Sequence, residues 1–197
     1  MFSVVATKCH NTLHNITLNQ YASGRTITAI VTHCNHVLCK LHLNVSESNN
    51  THITDDLLAV VGLHCGHLTE FSACDCPAVT DTGLVAVIAN NPALVLITLT
   101  NCHVITDTTL TNIATHCGKL HTLSVSHCGL ITDNGVCSVS THCHALKTLN
   151  VKFCKLLTEV SLHSVIHRCK GLYEMDTEGI VLTPSFAAKI HEKYRNV

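Results

Sequence analysis

The sequence predicts an α/β solenoid, with parallel strands on a concave face and helices on a convex one, from three observations. Cys76, Cys102, Cys128 and Cys154 are each 26 residues apart, and Cys65, Cys117, Cys143 and Cys169 stand on a second 26-residue comb whose vacant tooth is Asn91. Aligned on that period, Leu94, Leu120 and Leu146 coincide, as do Ile97, Leu123, Leu149 and then Leu99, Val125, Val151. Within each period the apolar spacing changes from alternation to the i, i+3, i+4 of one helix face, so each unit reads strand, turn, helix. A unit this small cannot bury its apolar face alone, whereas stacked neighbours can.

The elements follow in order. Residues 2–9 fit the helical tail of a preceding repeat, so the array is expected to begin mid-repeat, without a visible N-terminal cap and with its weak end there. Leu13, Ile16 and Leu18 make a strand, and Ile27, Ile30 and Val31 a helix face ending at Cys34. Leu38, Leu41 and Leu43 make the next strand; Cys34 and Cys65 are 31 apart, and the surplus, residues 45–50, reads as a loop insertion. Strands are then predicted over 68–73, 94–99, 120–125 and 146–151. Val136, Val139 and Ser140 represent the helix faces, with Thr132 and Asp133 as capping residues ahead of them. The histidine that ends most helices is placed to meet the negative end of the helix dipole. At the C-terminus a cap is predicted over 183–197: Thr183 as N-cap, Pro184 at the first helical position, and Phe186, Ile190 and Tyr194 on one face. Residues 1–197 therefore read as one array of about six repeats plus a partial N-terminal one.

Ile105-Thr106-Asp107, Ile131-Thr132-Asp133 and Leu157-Thr158-Glu159 recur after the ladder cysteines. The repeat C-x-x-L-x-x-L-x-L-x-x-C-x-x-I-T-D-x-x-L-x-x-I-A resembles the cysteine-containing subtype of leucine-rich repeat. That subtype is typical of F-box/leucine-rich-repeat proteins, the substrate receptors of Skp–cullin–F-box ubiquitin ligases, and of antagonist of mitotic exit network proteins, which lack the F-box. The resemblance implies a horseshoe solenoid that binds protein, acting in ubiquitin-dependent degradation or as a free-standing adaptor, in the cytoplasm, the nucleus or both. Only eight residues precede Cys9 and they belong to the repeat pattern, so no F-box is expected within this chain. A Skp-type adaptor is then a partner only if an F-box lies upstream.

Composition narrows the alternatives. Charged residues are 13%, and Lys+Arg 12 against Asp+Glu 13 leaves a net charge of -1, so no basic surplus exists to neutralise phosphates or hold an anionic membrane. Mean hydropathy of +0.30 excludes a disordered polyelectrolyte. No apolar run reaches the length of a membrane span, and the N-terminus lacks the basic and apolar regions of a signal peptide. Thirteen cysteines, an odd number, point to a reducing compartment and free thiols.

Thirteen cysteines and seventeen histidines also invite a metal or redox reading, especially at Cys74-Asp75-Cys76. Ligand sets cluster, however, whereas these residues recur once per repeat as packing positions do. All eight comb cysteines are therefore assigned to a structural ladder, with no metal, cofactor or catalytic residue expected. Asp81, Asp107, Asp133 and Glu159 fall in a 26-spaced row and read as helix-start residues rather than general acids. The binding candidates lie on or beside the outward strand positions: Glu70, Ser72, Leu96, Thr98, Ser124, His127, Asn150, Lys152, Phe153, Tyr173, Glu174 and Asp176. Leu96, Phe153 and Tyr173 supply the large apolar groups for a protein partner.

Overall fold

Among the described residues seven strands pair in parallel, each with the next in sequence order, and a helix follows every strand. This is a computed structural model that describes residues 14–18, 24–33, 37–44 and 53–194. The strands are β1 (Asn15–Leu18), β2 (Lys40–Asn44), β3 (Glu70–Cys74), β4 (Leu96–Thr98), β5 (Thr122–Ser124), β6 (Thr148–Asn150) and β7 (Glu174–Asp176). The helices are α1 (Gly24–His33), α2 (Asp55–His64), α3 (Asp81–Asn90), α4 (Asp107–His116), α5 (Asp133–His142), α6 (Glu159–Arg168) and α7 (Pro184–Lys193). From β3 onward the register equals the sequence period: Glu70, Leu96, Thr122, Thr148 and Glu174 lie side by side. The chain is an α/β repeat solenoid. The helical tail expected over 2–9, Cys34 and the insertion at 45–50 lie outside the described residues.

One apolar core runs the length of the stack. Phe71, Ile97, Leu123, Leu149 and Met175 point from the strands into it, and Leu84, Leu110, Val136 and Leu162 reach it from the helices. The strands are shorter than predicted. Leu94, Leu120 and Leu146 are buried as expected, but their N–H groups close turns onto the carbonyls of Asn91, Cys117 and Cys143, so pairing begins two residues later.

All eight comb cysteines are buried, and members of both combs serve backbone carbonyls of the preceding repeat. The Sγ of Cys102, Cys128 and Cys154 donates to the strand-end carbonyls of Ala73, Leu99 and Val125 at 3.2, 3.0 and 3.0 Å. Cys76 approaches Leu43 O at 3.9 Å. On the second comb, Cys143 and Cys169 reach the carbonyls of Cys117 and Cys143 at 3.5 and 3.6 Å. These cysteines are thus more than the methyl-sized fillers that packing alone would ask for. Asn91 fits its place in the comb because its amide bridges two buried groups, accepting from Leu68 N–H at 2.8 Å and donating to Val87 O at 2.9 Å.

The acidic row does more than face its own helix. Thr54, Thr80, Thr106, Thr132 and Thr158 are the N-caps of α2 to α6, each hydroxyl accepting from an N–H in the first turn. The same threonines, from Thr80 on, bind the carboxylate of the preceding repeat. Thr132 donates its N–H and hydroxyl to Asp107 at 2.8 and 2.5 Å, and Thr80, Thr106 and Thr158 repeat this toward Asp55, Asp81 and Asp133. Glu159 receives the N–H of Thr183 at 2.5 Å. That carboxylate dictates the third helical residue. A Cβ on Gly83 or Gly135 would sit 2.5 or 2.4 Å from Asp55 or Asp107 Oδ1, while in α4 the Thr109 hydroxyl occupies the place and donates to Asp81 at 2.5 Å.

The C-terminal helix matches the expectation in its buried Phe186, Ile190 and Tyr194 and in Pro184 at its start. Thr183 occupies the N-cap position, but its side chain makes no capping bond; the hydroxyl pairs with Ser185 Oγ at 3.4 Å instead. Among the described residues no helix is long and apolar enough to cross a membrane.

Three outcomes follow for stability. Asp107→Ala should cost about 1–3 kcal/mol in urea unfolding, and Gly135→Ala a similar amount; the double variant should recover part of the sum, because the clash disappears with the carboxylate. Cys128→Asp buries a charge without a partner and should cost about 3 kcal/mol or more by the same measurement. Acid should loosen the stack. Burial alone raises the pKa of Asp81, but the hydrogen bonds from Thr106 and Thr109 outweigh it and the net shift is downward; Asp133 behaves alike through Ser161 and Thr158. A carboxyl with a depressed folded pKa adds stability above its unfolded pKa, and that stability is lost as pH falls through the folded value. Unfolding on acid titration is therefore expected to steepen below about pH 4, and less so in an Asp81→Asn/Asp133→Asn variant.

Candidate functional site

With Ile97, Leu123, Leu149 and Met175 turned into the core, the alternate strand positions form the open face of the sheet. Lys40 pairs with Glu70 at 2.5 Å and His42 approaches the same carboxylate at 3.6 Å, which closes the N-terminal end of this face into a salt-bridged cluster. Leu96, Thr98, Ser124 and Asn150 follow, all half-buried and none charged. At the C-terminal end Thr148 donates to Glu174 at 3.0 Å and Lys152 forms an ion pair with Glu178.

Two predicted contact residues are not accessible on this face. Ser72 is 3% exposed and Asp176 4%. Ser72 is a small residue registered between the larger His42 and Thr98, with its hydroxyl 3.3 Å from Cys74 Sγ. Asp176 turns its carboxylate back to accept the N–H of Glu178 at 3.0 Å. Both are corrected from contact residues to supports of the face.

Immediately past the strands, one residue per repeat takes the left-handed conformation: Asp75, Asn101, His127 and Phe153, with φ of 56°, 63°, 60° and 57°, followed by Gly179 at 79°. This turn points each N–H at the next repeat, where Thr100, Ser126, Lys152 and Glu178 carbonyls accept at 3.0, 2.9, 2.8 and 2.7 Å. Asp, Asn and His tolerate this region, whereas a bulky aromatic rarely enters it. Their side chains stack along the rim. Asn101 donates to Asp75 at 2.5 Å, the His127 and Phe153 rings lie 4.7 Å apart, and Lys152 Nζ sits 5.4 Å from the Phe153 centroid. Gly179 ends the row for a steric reason: a Cβ there would lie 2.3 Å from Phe153 Cδ1.

Of the predicted binding residues, then, Phe153, His127 and Lys152 converge at the exit end of the strands. Tyr173, 54% exposed, stands just before β7 and so at the opposite, entrance end; it is not part of that cluster. The left-handed row escaped sequence reasoning, although its signal was present. It occupies the position before each ladder cysteine, and in the last repeat that position is glycine.

The thiols are chemically quiet in this setting. Burial pushes Cys102 and Cys117 up to about 12, and Cys143 and Cys154 up to about 11, which leaves them protonated at neutral pH. Among the described residues no three His, Cys, Asp or Glu side chains gather as a metal site requires.

No family model matches the chain, and no curated protein matches it. Solved structures do. Leiomodin-1 actin-binding site 2 aligns with a TM-score of 0.52 at 12% identity, over 86% of each chain. The tropomodulin C-terminal domain of Caenorhabditis elegans aligns with a TM-score of 0.50 at 12% identity, over 86% of this chain and 90% of that one. The yeast Rad7–Elc1 complex aligns with 100% of this chain and 70% of that one, at 12% identity and a TM-score of 0.48. At this identity the first two likenesses concern fold, and they agree with a stacked α/β repeat.

Gly179→Ala should destabilise the C-terminal repeat by about 1–3 kcal/mol, from positive-φ strain together with the Phe153 clash. Phe153→Ala in the same chain should restore part of the loss, read as the urea midpoint of each single and double variant.

Proposed function

We propose that the chain is a protein-binding array of the cysteine-containing leucine-rich-repeat type, a horseshoe that receives a segment of another protein on its strand face and rim. It is read as the target-recognition part of a ubiquitin ligase of the Skp–cullin–F-box kind, working in the cytoplasm or nucleus, without catalytic residues or cofactor of its own. The carrying observation is the rim cluster of His127, Lys152 and Phe153. Phenylalanine is held at a backbone position where glycine would be unstrained, and strain of that kind persists where the side chain is needed. Lys152 and Glu178 give the cluster opposite charges to orient a polar segment, while Phe153 offers apolar area to anchor it.

The repeat pattern C-x-x-L-x-x-L-x-L-x-x-C-x-x-I-T-D supports the family part of this reading, and the absence of a basic surplus favours protein over nucleic acid. A free-standing adaptor differs from a ligase subunit only in whether a Skp-type adaptor enters through an F-box upstream of this array.

Affinity capture with the tagged full-length gene product, followed by quantitation of each captured protein, tests the reading. A specific partner should lose at least about tenfold affinity on Phe153→Ala, equal to about 1.4 kcal/mol. Lys152→Glu should slow association and weaken its salt dependence, whereas Lys189→Glu on the outer helix α7 should change neither. Equal losses at the two faces would falsify the strand-face assignment. Co-capture of a Skp-type adaptor and a cullin is expected for the ligase reading, and their absence moves it to the adaptor.

A further inference from the structure

The loops that lead from the helices back to the strands carry charge of one sign in the last three repeats. Residues 116–121, 142–147 and 168–173 hold Lys119, Lys147, Arg168 and Lys170, four of the chain's 12 Lys and Arg, together with four histidines and no Asp or Glu. All four cations are exposed, and none enters an ion pair among the described residues. The corresponding residues 64–69 and 90–95 hold no Lys or Arg, so the patch belongs to the C-terminal repeats.

The backbone sets these loops directly against one another. Thr122, Thr148 and Glu174 are register partners, and one residue earlier Lys147 N–H donates to His121 O at 2.8 Å and Tyr173 N–H to Lys147 O at 3.0 Å. Equivalent residues of adjacent loops therefore stand at the strand spacing of about 4.8 Å. His121, Lys147 and Tyr173 form one row at the entrance to the strand face, with Lys119 and Lys170 in the loops that carry it. Lys147 and Tyr173 are both exposed.

The fold does not call for these charges. A cation favours the C-terminal end of a helix only within the last turn, and of the four only Arg168 lies there. Lys119, Lys147 and Lys170 come after Cys117, Cys143 and Cys169, the C-caps of α4, α5 and α6. Glu174, which follows Tyr173, is half-buried and accepts the Thr148 hydroxyl at 3.0 Å. Like charges on neighbouring loops repel one another unless an anion comes between them.

Charge selects an anion, and the surroundings select its kind. Glu70, Glu174 and Glu178 lie along the adjoining strand face and the whole chain carries -1, so a long polyphosphate meets repulsion once it passes the patch. A short acidic stretch of polypeptide needs only a few cations. Tyr173 offers it an aromatic surface with a polar hydroxyl, the combination that protein interfaces favour.

We propose that this entrance edge, with Lys119, Lys147, Arg168, Lys170 and Tyr173, docks an acidic segment of a partner protein, rich in aspartate and glutamate and carrying one large apolar residue. The carboxylates of the segment lie against the four cations and its apolar residue against Tyr173. The site is separate from the rim cluster at the exit end of the strands.

The test uses the whole chain and a fluorescein-labelled, glutamate-rich peptide with one central phenylalanine, about 12 residues so that its extended form crosses three repeats. Its comparators are the same peptide with glutamine for glutamate, an oligothymidylate of equal charge, and vesicles of phosphatidylcholine with phosphatidylserine. Fluorescence anisotropy should show the acidic peptide binding at least about tenfold more tightly than the glutamine version, with affinity falling as salt is raised. Amide exchange should show new protection confined to 117–122, 143–148 and 169–174. Lys119→Glu/Lys147→Glu should weaken binding at least about tenfold with an unchanged urea midpoint, because both side chains are exposed. Tyr173→Ala should weaken it about threefold or more. Lys155→Glu/Lys189→Glu makes the same change in total charge elsewhere and should weaken binding less than about twofold, since charges beyond about 8 Å are screened at physiological salt. Equal losses in the two double variants reduce the effect to bulk charge and overturn the proposal. Equal binding of the glutamine peptide, a footprint on the exit rim, or tighter binding of the oligothymidylate or of the vesicles does the same. Should the glutamate variants unfold early, the footprint on the unmodified chain decides. Phe153→Ala and Lys152→Glu report on the exit end and should leave this peptide's binding unchanged, so failure here leaves the rim reading standing, and the converse also holds.

Discussion

Everything in this structure depends on one constraint: the polar groups at the ends of each repeat are completed by the repeat beside it. A strand of three residues cannot satisfy its own ends, and a helix of ten residues leaves four N–H groups open at its start. Here the strand-end carbonyls of Ala73, Leu99 and Val125 receive thiols, the N–H groups of the left-handed residues reach the next strand, and each cap threonine is held by a carboxylate from the repeat before. None of these partners lies within its own repeat. Stability is consequently a sum of neighbour interfaces, and a lesion in one repeat is felt by the two that flank it.

The same stacking creates an electrostatic cost that the sequence offsets. Successive helix starts lie side by side, as the threonine–carboxylate bonds require, so their dipoles add like ends to like ends. Asp81, Asp107, Asp133 and Glu159 place a negative charge at the positive ends. At the other ends His116 and His142 set Nδ1 3.0 Å from the carbonyls of Asn112 and Ser138, and Arg168 closes α6. The two edges of the solenoid therefore differ in chemistry, carboxylates and exposed aliphatic groups on one, imidazole and basic groups on the other. A partner approaching along either edge meets a distinct surface, and the strand face offers a third.

Strain is concentrated where that third surface meets the first. Asp75, Asn101 and His127 occupy the left-handed region at modest cost, but Phe153 does so at a bulky residue's cost, and its neighbour at the next repeat is Gly179, whose missing Cβ leaves room for the ring. The rest of the repeat over-determines this geometry, since the Phe153 N–H is tied to Glu178 and Cys154 is locked beneath it. A rigid core thus presents a row of side chains that differ in every repeat, Asp, Asn, His and Phe, on a backbone that does not.

By itself the sequence determined what is periodic. The 26-residue combs, the alternation of strand and helix faces, the capping threonines and the C-terminal helix with Phe186, Ile190 and Tyr194 were all legible, because burial imposes apolar residues at fixed intervals and capping imposes a hydroxyl at a fixed place. The tertiary structure decided which groups meet across repeats. Sequence spacing placed Asp107 at the start of its own helix, but its partner is Thr132, one repeat away, and only the parallel register brings them together. Likewise Ser72 and Asp176 alternate outward as binding residues should, yet the neighbouring strands and a backward-turned carboxylate bury them. Tyr173 and Phe153 are both large and near the face, and the strand between holds them at opposite ends. A linear pattern records the period of burial, whereas side-to-side contact depends on the stagger between stacked chains, which no single repeat encodes.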